Sequence, residues 1–224
     1  MKEKHTLPAD IERTSMAIIA QELADAGIVL PKENAAVIKR VIHASADFDY
    51  VENLHFTEGA VTKAITALHQ GIPILTDTNM ALSGISKPAL TRIHVQAECY
   101  MADEDIAAAA KEHGTTRAVA CVKKGALLHP NAIFAVGNAP TALLSLCDLI
   151  EQGLRPSLVI GVPVGFVNVV ESKRQVFDVC QKYKIPAIIA MGRKGGSTVA
   201  AAVCNALLYA AADMLDPVDR GWQG

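Results

Sequence analysis

Aromatic side chains are scarce in this chain: Phe, Tyr and Trp together make up 4% of its 224 residues. The interior must therefore be built from Ala, Val, Ile and Leu, which suits close packing of helices on a sheet. Few rings remain for a base-stacking platform. A basic excess is missing as well, since the formal net charge is −2. That excludes a non-specific polyanion binder and argues against nucleic acid as a partner, so an anionic ligand has to be met by locally placed Arg, Lys and backbone amides. No CxxC pair occurs among Cys99, Cys121, Cys147, Cys180 and Cys204. Their odd number fits reduced thiols in a cytoplasm and carries no zinc signature, so each reads as a small buried apolar residue. The longest apolar run, Val199 to Leu215, is broken by Asn205 and Asp213 and falls short of the ~20 residues that span a bilayer. It reads as a buried or subunit-facing helix. The start, MKEKHTLPADIERTS, has no apolar stretch of signal-peptide length, so a cytoplasmic location away from membranes is expected.

What is present is a high hydrophobic content, 51%, enough for one α/β domain over residues 1–224. Pro8 to Ala26 reads as a first helix with a stripe of Ile11, Ile19 and Leu23, and Gly27 as its stop. Pro31 opens a second helix to about Ala44. Ser45 to Gly59 reads as a loop or short irregular element, and Thr62 to His69 as a helix. Strands are expected at Ile72 to Leu75, about Ile93 to Gln96, and Arg117 to Val122, with a helix over Asp103 to Glu112. Further strands at Ala132 to Val136, Leu158 to Ile160 and Ala187 to Ala190 each precede a helix. The recurrence predicts a three-layer α/β/α fold around a doubly wound sheet of five or six mostly parallel strands. The segment Asp216 to Gly224 reads as a poorly ordered tail.

The last three strand-to-helix joints, GNAPTAL, GVPVGF and GRKGGST, should lie together at the carboxyl edge of that sheet, where ligands bind. In GNAPTAL, Asn138 precedes a Pro suited to a first helical turn, and Thr141 offers a hydroxyl beside free amides. In GRKGGST, Gly195 and Gly196 allow close backbone approach while Arg193 and Lys194 add charge. Either loop is equally readable as a tight turn with a good helix start. No G-x-x-x-x-G-K-[ST] occurs and no G-x-G-x-x-G follows a strand, which weakens a nucleotide or phosphate enzyme as the alternative.

On the second helix, Ile38, Val41, Ile42 and Ser45 share one side and Ala36, Arg40 and His43 the other. The Arg40 and His43 face is either plain solvent or the floor of a pocket. Histidine is the side chain best suited to give and take a proton near neutral pH. Ser15 falls within the apolar stripe of the first helix, where its hydroxyl needs either the carbonyl one turn earlier or a ligand. Asp47, Asp49 and His55 do not make a convincing metal set, and no protein metal site is expected.

Taken together, ERTS, RVIHAS, PILTDTNMALSGI, TTR, GNAPTAL, GVPVGFVNVVESK and GRKGGS resemble the precorrin-8X methylmutase family, including its cobalt-precorrin-8 members, over nearly the whole chain. The resemblance implies a flavodoxin-like fold, a homodimer, and an isomerase of cobalamin biosynthesis. Such an enzyme moves a methyl group from ring carbon 11 to ring carbon 12 of a corrin precursor without a redox or nucleotide cofactor. It also implies His43 as proton donor and acceptor. Ser15 and Arg40 then match substrate-contact positions, with Arg117, Asn138, Thr141, Gly195 and Gly196 as further contacts. A corrinoid carrier with the same pocket and no turnover is the rival reading.

Overall fold

The structure is a computed structural model that describes residues 7–221. The chain opens with α1 (Pro8–Asp25), α2 (Ala35–Ser45) and α3 (Tyr50–Asn53), then β1 (Leu54–Phe56) and α4 (Ala60–His69). Next come β2 (Ile74–Thr76), α5 (Asn79–Gly84), α6 (Lys87–Arg92), the short β3 (Ala97–Glu98), α7 (Glu104–Glu112) and α8 (Arg117–Leu128). Three strand–helix units complete the chain: β4 (Ile133–Val136) with α9 (Pro140–Glu151), β5 (Leu158–Gly161) with α10 (Val169–Lys182), and β6 (Ala187–Ala190) with α11 (Ser197–Ala211). A 3-10 turn, Pro217–Arg220, follows.

The six strands form one sheet in the order β1-β6-β5-β4-β2-β3, with β1 antiparallel to β6 and every other pairing parallel. Counted along the chain, the parallel strands alone lie in the order 2-1-3-4-5, that of flavodoxin-like sheets. Alternation along each strand sends side chains to two separate cores. Ile133, Ala135, Leu158, Ile160 and Ile188 join α1, α2, α4 and α11 on one face. Phe134, Val136, Val159, Ala187 and Ile189 join α8, α9 and α10 on the other. All of β4, β5 and β6 is buried, which is why these strands read as continuous apolar runs. The three-layer expectation therefore holds.

Several local expectations do not. Arg117 to Val122 is helix, not strand: the run AVACV is apolar at every position, so it satisfies either period, and its continuation through Leu128 decides the matter. Ala118, Val122 and Ala126, four apart, enter the same core. The Thr116 side chain accepts from the Val119 N–H and starts the helix. Near Ile93 to Gln96 the chain ends α6 and turns through His94 at φ +54°, so the strand begins only at Ala97. The 45–59 segment contains α3 and the antiparallel edge strand β1. Helix α11 is buried on nearly all sides by this chain itself, so its apolar character is no sign of a subunit interface. The expected loose tail forms the Pro217–Arg220 turn, with Arg220 buried; its last three residues, like the first six of the chain, lie outside the described ones. Among the described residues no helix is long and apolar enough to cross a membrane.

Because α8 starts on the Thr116 cap, Thr116→Ala should lower the unfolding free energy by about 1 kcal/mol in urea titrations. A strand beginning at Arg117 would show no such loss.

Candidate functional site

Helices α1 and α2 meet through two polar rungs, one helical turn apart on each. In the first, Arg40 Nη2 donates to Glu12 Oε1 at 2.8 Å; in the second, Ser15 Oγ and His43 Nδ1 are 2.8 Å apart. Ser15 thus uses neither its own helix carbonyl nor open solvent, but orients an imidazole. Glu12 is 4% exposed and carries a second cation, Arg220, which donates from Nη1 to Oε2 at 3.0 Å and from Nη2 to Oε1 at 2.5 Å. Burial works to raise the Glu12 carboxyl, but hydrogen bonds from Arg220 and Arg40 outweigh it and hold the group below the usual carboxylate range. The two guanidinium groups lie near the ring of Tyr209 on α11, at 5.2 Å for Arg40 and 4.3 Å for Arg220.

His43 sits where two open clefts meet. One, of about 560 Å³, is walled by Ile11, Ile18, Ile19, Ile42 and Phe48, with Thr14, Ser15 and Glu22 as polar members beside His43. The other, of about 360 Å³, runs past Arg40, Met80, Gly84, Thr198, Ala201 and Asn205. Gly84 permits that narrow junction, since a Cβ there would lie 2.8 Å from the Ala201 Cβ. Burial first, and the Arg40 guanidinium second, push the imidazole below the ordinary histidine value, with Glu12 opposing. The face of Arg40 and His43 is therefore pocket rather than plain solvent. Ile11 and Ile18, both about half exposed, are cleft wall and not core.

The strand-end loops share one sheet edge as expected, but their polar groups are largely engaged by the protein. At the end of β2, the buried Asp77 carboxylate accepts from the amides of Gly137 at 2.8 Å, Asn138 at 2.9 Å and Ala139 at 2.8 Å. The amides expected to be open to a ligand are thus capped from within. Thr141 Oγ1 lies 3.1 Å from Thr116 Oγ1, beside the exposed Arg117, on the α8–α9 side of the sheet. Neither Arg117, Asn138 nor Thr141 is among the residues lining the two clefts at His43. In GRKGGST, Gly195 has φ +156°, and a Cβ there would fall 2.1 Å from the Val162 carbonyl oxygen. The Gly196 N–H donates to that same oxygen at 2.8 Å. The loop is therefore packed against the one that follows β5.

Lys173, from the ESK run, completes that packing. Its side chain is fully buried, and Nζ donates to the carbonyls of Gly192 and Lys194, both at 2.8 Å. Burial pushes its pKa down to about 8. Lys194 in turn reaches Asp47 and Asp49, so these carboxylates serve an ion pair across the loops. Sequence reasoning missed Glu12, Asp77, Lys173 and Arg220 as organising groups. Only Glu12, one turn before Ser15 on the same helix, had a local signal.

A protein-family model described as precorrin-8X methylmutase matches residues 10–210. The chain belongs to the precorrin-8X methylmutase family. It is 42% identical to the cobalt-precorrin-8 methylmutase of Salmonella typhimurium, over 90% of this chain and 95% of that protein. It is 39% identical to the cobalt-precorrin-8 methylmutase of Leptospira interrogans, over 93% of this chain and 96% of that protein. The crystal structure of the Thermus thermophilus precorrin-8x methyl mutase superposes with a TM-score of 0.80 at 39% identity, covering 91% of this chain and 98% of that one. A methylmutase is an intramolecular methyl-migrating isomerase, and this member of the family is therefore an enzyme of cobalamin biosynthesis.

Removing the buried amine by Lys173→Met should cost about 2 kcal/mol, since two loop carbonyls lose a charged donor. Native-state hydrogen exchange should then show the Gly196 amide losing protection ahead of the β5 and β6 amides.

Proposed function

We propose that this chain moves the methyl group on ring carbon 11 of precorrin-8X or cobalt-precorrin-8 to ring carbon 12, giving hydrogenobyrinate or cobyrinate, with His43 as the general acid and base. The observation that carries the reading is the Ser15–His43 hydrogen bond of 2.8 Å at the meeting point of two open clefts. Apolar walls suit a broad macrocycle, and Arg40 suits one of its carboxylate arms. With Nδ1 held by Ser15, a protonated His43 has Nε2–H to give to the ring and Nε2 to take the proton back. Methyl migration within one conjugated ring needs no methyl donor, and any cobalt would belong to the substrate. Ser15 and Arg40 are the substrate contacts this geometry supports most directly, with Gly195 and Gly196 shaping the neighbouring loop. Arg117, Asn138 and Thr141 would reach only an outlying arm. The reading includes one functional domain, a homodimer and a cytoplasmic setting.

The capped GNAP amides weigh against the nucleotide alternative. The crevice between β2 and β4 is where the strand order reverses, and Asp77 already occupies its amides. A phosphate there would meet a carboxylate.

His43→Ala should lower turnover of precorrin-8 by about 10² to 10⁴-fold while corrin binding, followed by visible absorption, persists. Turnover equal to the parent's would remove His43 from the reaction. A parent that binds the corrin without converting it would leave a carrier.

The depressed histidine also sets a pH dependence. A donor must be protonated, so its contribution is lost as pH rises through its own pKa. The alkaline limb of kcat/KM, which reports the free enzyme, should lie below the ordinary histidine value of about 6.5. The limb of kcat should lie higher, because bound carboxylate arms favour the imidazolium. Coincident limbs would count against His43 as the donor.

A further inference from the structure

Glu12 presents one carboxylate to two guanidinium groups, and they share it unequally. Arg220 takes both oxygens, whereas Arg40 makes a single hydrogen bond, to Oε1. Their surroundings differ in the same sense. The Arg220 side chain is 3% exposed and lines neither cleft; that of Arg40 is 13% exposed and forms a wall of the cleft beside His43. The cluster contains two cations and one anion, so one positive charge is left over, and it falls on the arginine that faces the opening.

A guanidinium and a carboxylate prefer a two-pronged pairing. Were Arg220 absent, Oε2 of Glu12 would be free to turn to Arg40, and the pair would become a closed ion pair with its charge cancelled and its N–H donors used. We propose that Arg220 is a positioning residue that sequesters Glu12, so that Arg40 keeps an unneutralised charge and spare N–H donors for a carboxylate arm of the ligand. Arg220 comes from the Pro217–Arg220 turn, beyond residue 210 where the family match ends. The turn is itself held by Asp216, which accepts from the Val218 N–H and from Arg13 on α1. Residues outside the matched region thus set the charge of the site.

This inference rests on the corrin reading for the identity of the ligand, and its test separates the two. Steady-state kinetics on the full chain would compare the parent with Arg220→Gln, Glu12→Gln and the double variant, with circular dichroism and thermal melts to establish folding. Arg220→Gln should raise KM by about tenfold with kcat reduced less than about threefold, because Arg40 loses its hold on a carboxylate arm while the Ser15–His43 pair is left in place. The E12Q/R220Q double variant should recover most of that KM, because no carboxylate then remains to close on Arg40. A double variant as impaired as Arg220→Gln alone, or a fall in kcat with KM unchanged, would overturn the proposal. If Arg220→Gln does not fold, Arg220→Lys takes its place; it keeps the charge without the two-pronged grip and should give a smaller rise in KM that the Glu12 change again reverses.

A readout without substrate covers failure of the corrin reading itself. The charged groups facing His43 are Arg40 on its own helix, Glu12 and Glu22 from α1 and Arg220 from the C-terminal turn, while Asp47 in the following loop is paired with Lys194. Helix α11 contributes Tyr209 and Asn205 but no charge. The His43 ring-proton titration followed by NMR should therefore move to higher pH in Arg220→Gln and back down in the double variant. A parent that neither binds nor converts the corrin but shows this shift would sink the corrin reading alone, whereas an unmoved titration would sink the role of Arg220.

Discussion

A carboxylate buried between two helices has to be paired, and the pairing of Glu12 is the constraint on which the rest of the site depends. Its rung to Arg40 and the rung of Ser15 to His43 span the same separation along the chain, 28 residues. Each rung therefore fixes the other: rotating α1 by one residue against α2 would break both at once. Ile19 and Leu23 on α1 share one apolar cluster with Val41 and Ile42 on α2, and such packing tolerates small slips. A buried ion pair does not, because a displaced Glu12 would leave charge unpaired in a site with little solvent. Apolar area holds these helices together, and the charged cluster determines which side chains meet.

A similar division of labour operates at the sheet edge. Asp77 caps the turn after β4, and Lys173 ties down the loop after β6. Each meets unpaired backbone groups of a strand-end loop with a buried charge of the complementary sign, amides with a carboxylate and carbonyls with an ammonium. Loops that look like an anion cradle are in this way made rigid and partly filled by the protein's own groups. What remains open is the floor between α1, α2, α5 and the first turns of α11, where Thr198 and Ala201 from the last joint approach His43. The site is off-centre from the switch point of the sheet, and the switch point serves as its support.

Much of the fold was legible in the sequence because its strands are short, apolar and followed by clear turn chemistry; β4, β5 and β6 fall where the runs before GNAPTAL, GVPVGF and GRKGGST place them. The failures have physical causes. AVACV satisfies the period of a strand and of a helix alike, and only the Thr116 cap and the length of the run decide it. Ile11 belongs to the stripe of α1, yet periodicity marks which side is apolar and cannot say whether chain or cleft covers it. Arg40 and His43 share a helix and were readable as a pair, whereas Ser15 had to wait for the packing of α1. Arg220 meets Glu12 across 208 residues, and no local pattern announces such a pair. Asp77 was hidden in a different way: it stands in a conspicuous motif, but its partners are amides, which have no signature in a sequence.

The balance of charge around His43 ties these features to the chemistry. In a protein of net charge −2, the buried cluster of Glu12 with Arg40 and Arg220 carries one cation more than anion, beside an imidazole held below the ordinary histidine value. Burial first, and Arg40 one turn away on the same helix face second, disfavour the imidazolium. A polycarboxylate in the cleft would reverse the sign of the local field, since each arm placed near Arg40 also lies near His43. Under the proposed reading the donor is thus charged chiefly when an acid-rimmed ring is present, so the proton arrives with the substrate. A permanently charged histidine would be simpler, but it would carry the desolvation cost of a further cation beside Arg40 before any substrate binds. Coupling the proton to the ligand avoids that cost, and the separation of Arg40 from Glu12 serves it by keeping a cation free to draw the carboxylate arm into the cleft.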